Sequence, residues 1–179
     1  MLPYKKIPCQ ILDRIQKETL HWLDLHPING DQFWNKIDSE NFIKRSPALV
    51  EFSKSIGLYL RECAILITHT HDGVGLHVDE KPITAKINFP ILNTAGSITE
   101  WYDVPTDNFP VILNQFGKEI PDLSTVDVAQ FTKLGEVELD TPIVFNSQIP
   151  HRVRIQPDAR LPRIVLSCMF FKEPLNYLL

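Results

Sequence analysis

The stretch Thr68-His69-Thr70-His71-Asp72-Gly73-Val74-Gly75-Leu76-His77-Val78-Asp79 gathers three of the chain's six histidines and two aspartates into twelve residues. It ends in His77-Val78-Asp79, a neutral nitrogen donor and a hard anionic oxygen donor two residues apart. In an extended chain, residues i and i+2 point to the same side. A strand or strand end here would therefore aim both donors at one ion. A third ligand has to come from elsewhere, and His151, in Ile149-Pro150-His151-Arg152-Val153, is the best supplier. Two histidines and one carboxylate on one face of a metal, with open positions opposite, form the ligand set of non-haem Fe(II).

The surrounding sequence must bring these two distant segments together. Residues from about Pro8 to His26 carry Ile11, Leu12, Ile15, Leu20, Trp22 and Leu23 at helical spacing and stop before Pro27, which predicts an amphipathic helix. His21 and His26 fall on it or at its end, where surface or capping roles are commoner than ligation. A turn is expected at Asn29-Gly30-Asp31. Ser46-Pro47 has the order of an N-cap followed by proline in the first helical position, and predicts a second helix to about Ile56. Gly57 is then free to take the left-handed C-terminal turn.

Beyond Gly57 the period changes from helical to alternating. Tyr59–Ile67 is rich in branched and apolar residues. From Thr84 to Leu92, Ala85, Ile87, Phe89 and Ile91 alternate with Lys86, Asn88 and Pro90, a half-buried strand whose proline suggests an edge or a bulge. Ser97–Tyr102 follows an Ala95-Gly96 turn and predicts a hairpin with it. Pro105, Pro110 and Pro121 break the stretch from Val104 to Thr125 into an insertion with short strands. Val126–Phe131, Val137–Leu139, Pro142–Asn146, Arg152–Ile155 and Arg163–Phe171 complete the expected strands. Helices first and many short strands after is the pattern of a mainly β protein with N-terminal helices packed on an antiparallel double sheet. Short strands joined by Gly/Pro turns favour a jelly roll or cupin-like barrel.

Composition bounds the function. A chain of 179 residues, 44% hydrophobic and 22% charged, fits a single domain over 1–179, with 1–57 as helical support and 58–173 as the barrel core. The formal net charge of −4, with no basic run longer than Lys5-Lys6, disfavours nucleic acid as a partner. Cys9, Cys63 and Cys168 are odd in number and widely spaced, which reads as reduced thiols in a cytoplasmic protein, with Cys63 and Cys168 in the core. The start of the sequence lacks an apolar signal region, and no apolar run reaches membrane-spanning length.

Taken together, His77-x-Asp79, the distal His151 and Arg163 resemble the 2-oxoglutarate/Fe(II)-dependent dioxygenase superfamily, over roughly Tyr59 to Phe171. The resemblance implies a double-stranded β-helix in which His77, Asp79 and His151 bind Fe(II). It also implies that a basic residue opening the last core strand pairs with the far carboxylate of 2-oxoglutarate. Arg163 lies twelve positions after His151 and opens Arg163-Ile164-Val165-Leu166-Ser167. Arg160 is also within reach, but Pro157–Pro162 reads as the turn, which leaves Arg160 outside the barrel. An arginine suits the task because its planar fork grips a carboxylate bidentately and keeps its proton. The Ile87-Asn88-Phe89-Pro90-Ile91-Leu92-Asn93 segment, with Trp101 following, is similar to the strand after His-x-Asp in a phage- and bacteria-associated branch of that family. The implied activity is hydroxylation of a small molecule or a protein side chain, with release of succinate and carbon dioxide.

Further polar residues are open on the residues alone. Asn88 has the chemistry to hydrogen-bond the co-substrate, yet its alternation against Phe89 and Ile91 is equally that of a side chain pointing outward. Ser167 either assists Arg163 or is satisfied by backbone, and Trp101 and Tyr102 either line a substrate mouth or pack. A rival reading of Thr68-His69-Thr70-His71-Asp72 is the Thr-His-x-His-x-Asp-His segment of metallo-β-lactamase-type hydrolases, but the positions that would carry its Asp and last His are Gly73 and Val74. A third reading is a cupin-like barrel that binds metal without 2-oxoglutarate turnover.

Overall fold

The strand Arg163–Phe170 is buried on both faces, and its two sets of alternate side chains divide the molecule into layers. Ile164, Leu166, Cys168 and Phe170 point to one side. There they join Ile65, Ile87, Phe89 and Ile91 against Ile15, Trp22, Phe42, Leu49 and Phe52 in a single apolar cluster. Val165 points the other way, into a second cluster with Leu66, Trp101, Ile143 and Phe145. The first cluster joins sheet to helices; the second joins sheet to sheet.

The computed structural model describes residues 2–28, 33–80, 83–114 and 117–179; the turn expected at Asn29-Gly30-Asp31 lies outside them. The elements are β1 Tyr4–Lys6, α1 Leu12–Leu25, β2 Trp34–Lys36, α2 Ser39–Lys44, α3 Pro47–Ser55, β3 Leu60–Thr68, β4 Val74–His77, β5 Ala85–Leu92, β6 Ser97–Tyr102, β7 Val111–Leu113, β8 Glu119–Pro121, β9 Lys133–Glu138, β10 Ile143–Asn146, β11 His151–Ile155 and β12 Arg163–Phe170. One sheet has the order β1-β10-β5-β12-β3-β2 and the other β4-β11-β6-β9, while β7 and β8 pair separately. Neighbouring strands in both sheets are antiparallel. The mainly β architecture with helices on one face is as the sequence predicts. No described helix is long and apolar enough to cross a membrane.

Several local expectations change. Helix α1 starts at Leu12 rather than Pro8, because the Ile7 N–H bonds Pro142 O at 2.8 Å and ties the preceding segment to the sheet. Ser46 takes the N-cap position of α3, with Pro47 after it, but its hydroxyl makes no cap hydrogen bond. Gly57 does adopt the left-handed conformation, at φ +71°. Val126–Phe131 is not a strand. Residues Val128–Gln130 form a 3₁₀ turn, in which the Asp127 carboxylate accepts from the Ala129 N–H at 3.0 Å, and this local bond outcompetes the alternating pattern.

The hairpin expected of β5 and β6 is also absent. The segment between them crosses from one sheet to the other: β5 pairs with β10 and β12, β6 with β11 and β9. Pro90 therefore sits in a central strand, not at an edge. The register of β12 against β5 shifts at Val165–Pro90, and this bulge accommodates the missing proline N–H. Strands β1 and β2 and helix α2 had no counterpart in the sequence reading.

Two features position the segment that carries His77 and Asp79. Gly73 has φ +72°, and a Cβ there would lie 2.1 Å from Val153 O. Only glycine lets this turn seat against β11, and the turn delivers β4 into its pairing. The insertion from Val104 onward packs Val104, Leu123, Val126 and Val128 against Tyr102 and Val78, next to that strand. Cys63 and Cys168 are buried, unoxidised core residues with their sulfurs 3.8 Å apart.

Candidate metal centre

His77 closes β4 and His151 opens β11, and the ladder sets the two directly opposite one another. Their ring centroids are 4.3 Å apart. Asp79 follows where the chain leaves β4. Its N–H donates to Ser147 O at 2.9 Å, and the Gln148 side-chain amide donates to Asp79 O at 2.9 Å, so the 146–148 turn holds the carboxylate segment in place. Ligand atoms of His77, Asp79 and His151 all lie within 4.8 Å of one another. His69 and His71 are exposed and lie outside this group, and His71 Nε2 is instead 3.0 Å from Ala159 O.

The second bonds of the two imidazoles fix which nitrogen is free. His77 Nδ1 lies 2.8 Å from Gly75 O, and His151 Nδ1 lies 2.9 Å from Ile149 O. A carbonyl oxygen only accepts, so each Nδ1 carries the proton and each Nε2 keeps its lone pair for a metal. Burial, with the neighbouring His77 second, lowers the His151 pKa to about 4, so it is a neutral donor at physiological pH. Burial acts to raise the Asp79 pKa, but the adjacent Lys86 ammonium, which also hydrogen-bonds the carboxylate, with His151 and His77 as neighbours, outweighs it and holds the carboxyl below its usual range. This donor set fits a divalent transition metal: two imidazoles, each with its Nδ1 on a backbone carbonyl, and an ionised carboxylate whose backbone is tied to the 146–148 turn.

A narrow cavity of about 50 Å³ runs between the sheets from this cluster to Arg163. At Phe33, Trp34, His77, Asp79 and Lys86 it adjoins a wider mouth of about 570 Å³. The ladder orders its floor, since Ser167 lies opposite Asn88 and Arg163 opposite Thr68. Arg163 is 2% exposed, and burial lowers its pKa to about 10, which leaves the guanidinium cationic at neutral pH. Its Nε and Nη1 have no hydrogen-bond partner among the described residues, and neither do Asn88 Oδ1 and Thr68 Oγ1. A buried cation with open donors fits one end of a dicarboxylate.

The alternation that left Asn88 undecided is real, but both faces of β5 are buried. Ile87, Phe89 and Ile91 pack on the helices, and Asn88 lines the inter-sheet cavity with Ser167. Arg160, in the turn before β12, does not line it. Trp101 is fully buried and stacks on Tyr4 at 4.8 Å, so it packs the inner layer beside His151. Lys86 escaped the sequence reading. Its Nζ lies 3.0 Å from Asp79 Oδ2, and the signal for it was the shared face with Asn88.

On the opposite face of β6, buried Glu100 meets Arg152 at 2.6 Å, Lys133 at 3.2 Å and the Tyr102 hydroxyl at 2.9 Å. Burial acts to raise the Glu100 pKa, but these bonds win and depress it to about 2. A depressed carboxyl stabilises the fold above its unfolded pKa of 4.5 and loses that contribution as pH falls toward 2. In urea melts, Glu100→Gln is expected to be less stable than the wild type at pH 6, by up to about 3 kcal/mol. The gap should narrow steadily as pH falls below 4.5 and close only below the folded pKa of about 2. A constant gap across pH would mean that the charge of Glu100 contributes nothing.

No family model matches the chain, and no curated protein matches it. Solved structures do share its fold. The epimerase SnoN, in complex with Fe3+, alpha-ketoglutarate and nogalamycin RO, aligns with a TM-score of 0.57 at 10% identity, over 94% of this chain and 78% of its own. HygX from Streptomyces hygroscopicus, with nickel and 2-oxoglutarate bound, aligns with a TM-score of 0.55 at 12% identity, over 93% and 81%. The chain shares the fold of these two 2-oxoglutarate-binding proteins.

Proposed function

We propose that this protein is an Fe(II)- and 2-oxoglutarate-dependent oxygenase built on a double-stranded β-helix. In this reading His77, Asp79 and His151 hold the metal and Arg163 anchors the co-substrate. The observation that carries it is the pairing, across one cavity, of the His-Asp-His cluster with a buried guanidinium whose Nε and Nη1 are open. Iron, 2-oxoglutarate and dioxygen together supply the oxidising power for hydroxylation of a C–H bond, with release of succinate and carbon dioxide.

The side chains then have distinct tasks. His77 and His151 donate through Nε2, each ring held by its Nδ1–H bond to the carbonyl two residues earlier. Arg163 takes the far carboxylate in its fork, and Asn88 and Ser167, which line the same cavity, hydrogen-bond the body of the co-substrate. Phe145 lines the site, with its ring 5.4 Å from that of His151, and excludes water from it. The primary substrate, a small molecule or a protein side chain, enters by the wide mouth. The reading also takes the protein to be cytoplasmic.

Incubation of the purified protein with Fe(II) and 2-oxoglutarate tests this directly. Slow succinate formation that stops when iron is chelated is the expected result. Metal binding with neither 2-oxoglutarate binding nor succinate would favour the cupin-like binding barrel instead. Because one similar structure is an epimerase, the product formed from a substrate, once found, decides between hydroxylation and another oxidative outcome.

A further inference from the structure

Lys86 has no task in the reading above, yet it is built into the centre of the site. Its side chain is only 9% exposed, and Asp79 is its one ion-pair partner among the described residues, with Nζ 3.0 Å from Oδ2. The other carboxylate oxygen, Oδ1, faces His77 Nε2 at 4.0 Å. Asp79 is thus divided between the histidine cluster and an internal cation. Among the other charged groups lining the mouth, Lys36 pairs with Glu62 at 2.9 Å, Glu80 accepts from Asn114 at 3.1 Å, and Lys118 is exposed.

We propose that Lys86 gates metal loading: it is the resident counter-ion of Asp79, and it makes binding of the metal and of the dicarboxylate mutually dependent. This rests on the proposed function. Apart from the two imidazoles, the ionisable groups lining the cavity are Asp79, Lys86 and Arg163, a net charge of one positive. A divalent ion entering alone competes with Lys86 for Asp79 and raises the cavity to three positive charges in a poorly screened space. A dianion returns it to one and gives both fixed cations a partner. Each ligand therefore strengthens the other, and by linkage it does so by the same factor in both directions.

Titration calorimetry of the full chain with Mn(II), alone and with saturating 2-oxoglutarate, tests the gate without turnover. The wild type should bind Mn(II) about tenfold or more tightly when 2-oxoglutarate is present. Lys86→Met should bind Mn(II) alone about tenfold more tightly than the wild type, because the competing charge is gone, and should show a smaller enhancement by 2-oxoglutarate. Lys86→Arg, which keeps the charge, should resemble the wild type. Lys86→Gln serves in place of the methionine variant if that chain fails to give a cooperative thermal melt. Weaker Mn(II) binding by the charge-removed variants would show that the lysine only orients Asp79 and would overturn the gate, as would an unchanged enhancement. Either result, in a wild type that still binds both ligands and releases succinate, leaves the proposed function standing. A wild type that binds no Mn(II) removes the metal site and the gate together.

Discussion

Arg163→Met is expected to make the ligand-free protein more stable and to weaken 2-oxoglutarate binding about a hundredfold. The two signs have one cause. Arg163 is 2% exposed, and its Nε and Nη1 have no partner among the described residues, so the folded chain carries a desolvated charge that is incompletely compensated. Methionine keeps much of the apolar stem and removes that penalty. Exchanging buried ionic groups for apolar ones typically gains about 1–4 kcal/mol, or roughly 2–4 °C per kcal/mol in a chain of this size. Against this, a bidentate contact to a carboxylate contributes about 1.5–3 kcal/mol per charged hydrogen bond, which the variant forfeits on binding. Thermal melts with and without 2-oxoglutarate, in the presence of Mn(II), read both effects at once. Arg160→Met should change neither. A merely structural Arg163 would give the opposite stability change, and unaltered 2-oxoglutarate affinity in the Arg163 variant would remove it from the site.

The arginine was legible through the resemblance, which asks for a basic residue opening the last core strand after the distal histidine, and Arg163 stands at the head of the apolar run of β12, twelve positions after His151. The same clarity failed at β5. There alternation was read with one face dry and one face wet, whereas β5 lies between β10 and β12 with helices on one side and the second sheet on the other. A polar residue on such a strand points into a cavity, which is why Asn88 stayed undecided and Lys86 went unnoticed. The false hairpin of β5 and β6 has a related origin. A turn signal such as Ala95-Gly96 shows that the chain reverses, but not whether it returns to the same sheet. The three-residue strands β1 and β2 are too short to show any period. At Val126–Phe131 a single side-chain bond from Asp127 set the backbone locally, against the apolar pattern.

The proposed metal ligands should separate from the other histidines just as sharply. His77→Ala, Asp79→Ala and His151→Ala are each expected to abolish iron-dependent succinate release, with losses of a hundredfold or more in metal affinity, about 3 kcal/mol or more for a lost ligand. His69→Ala and His71→Ala should leave both nearly unchanged, because those exposed side chains lie outside the cluster. Stability tells the three ligand variants apart. His77→Ala removes a partly exposed ring. Asp79→Ala strands Lys86, whose ammonium has no other ion-pair partner among the described residues, and breaking a buried pair from one side costs about 3–5 kcal/mol. The Asp79 variant should therefore melt well below the His77 variant in the absence of metal, and Asp79→Ala combined with Lys86→Met should recover most of the difference. If His69→Ala and His71→Ala silence the protein while His151→Ala does not, the ligand assignment fails. If the double variant melts no higher than Asp79→Ala alone, the pairing of Lys86 with Asp79 is not what holds this end of the cavity together.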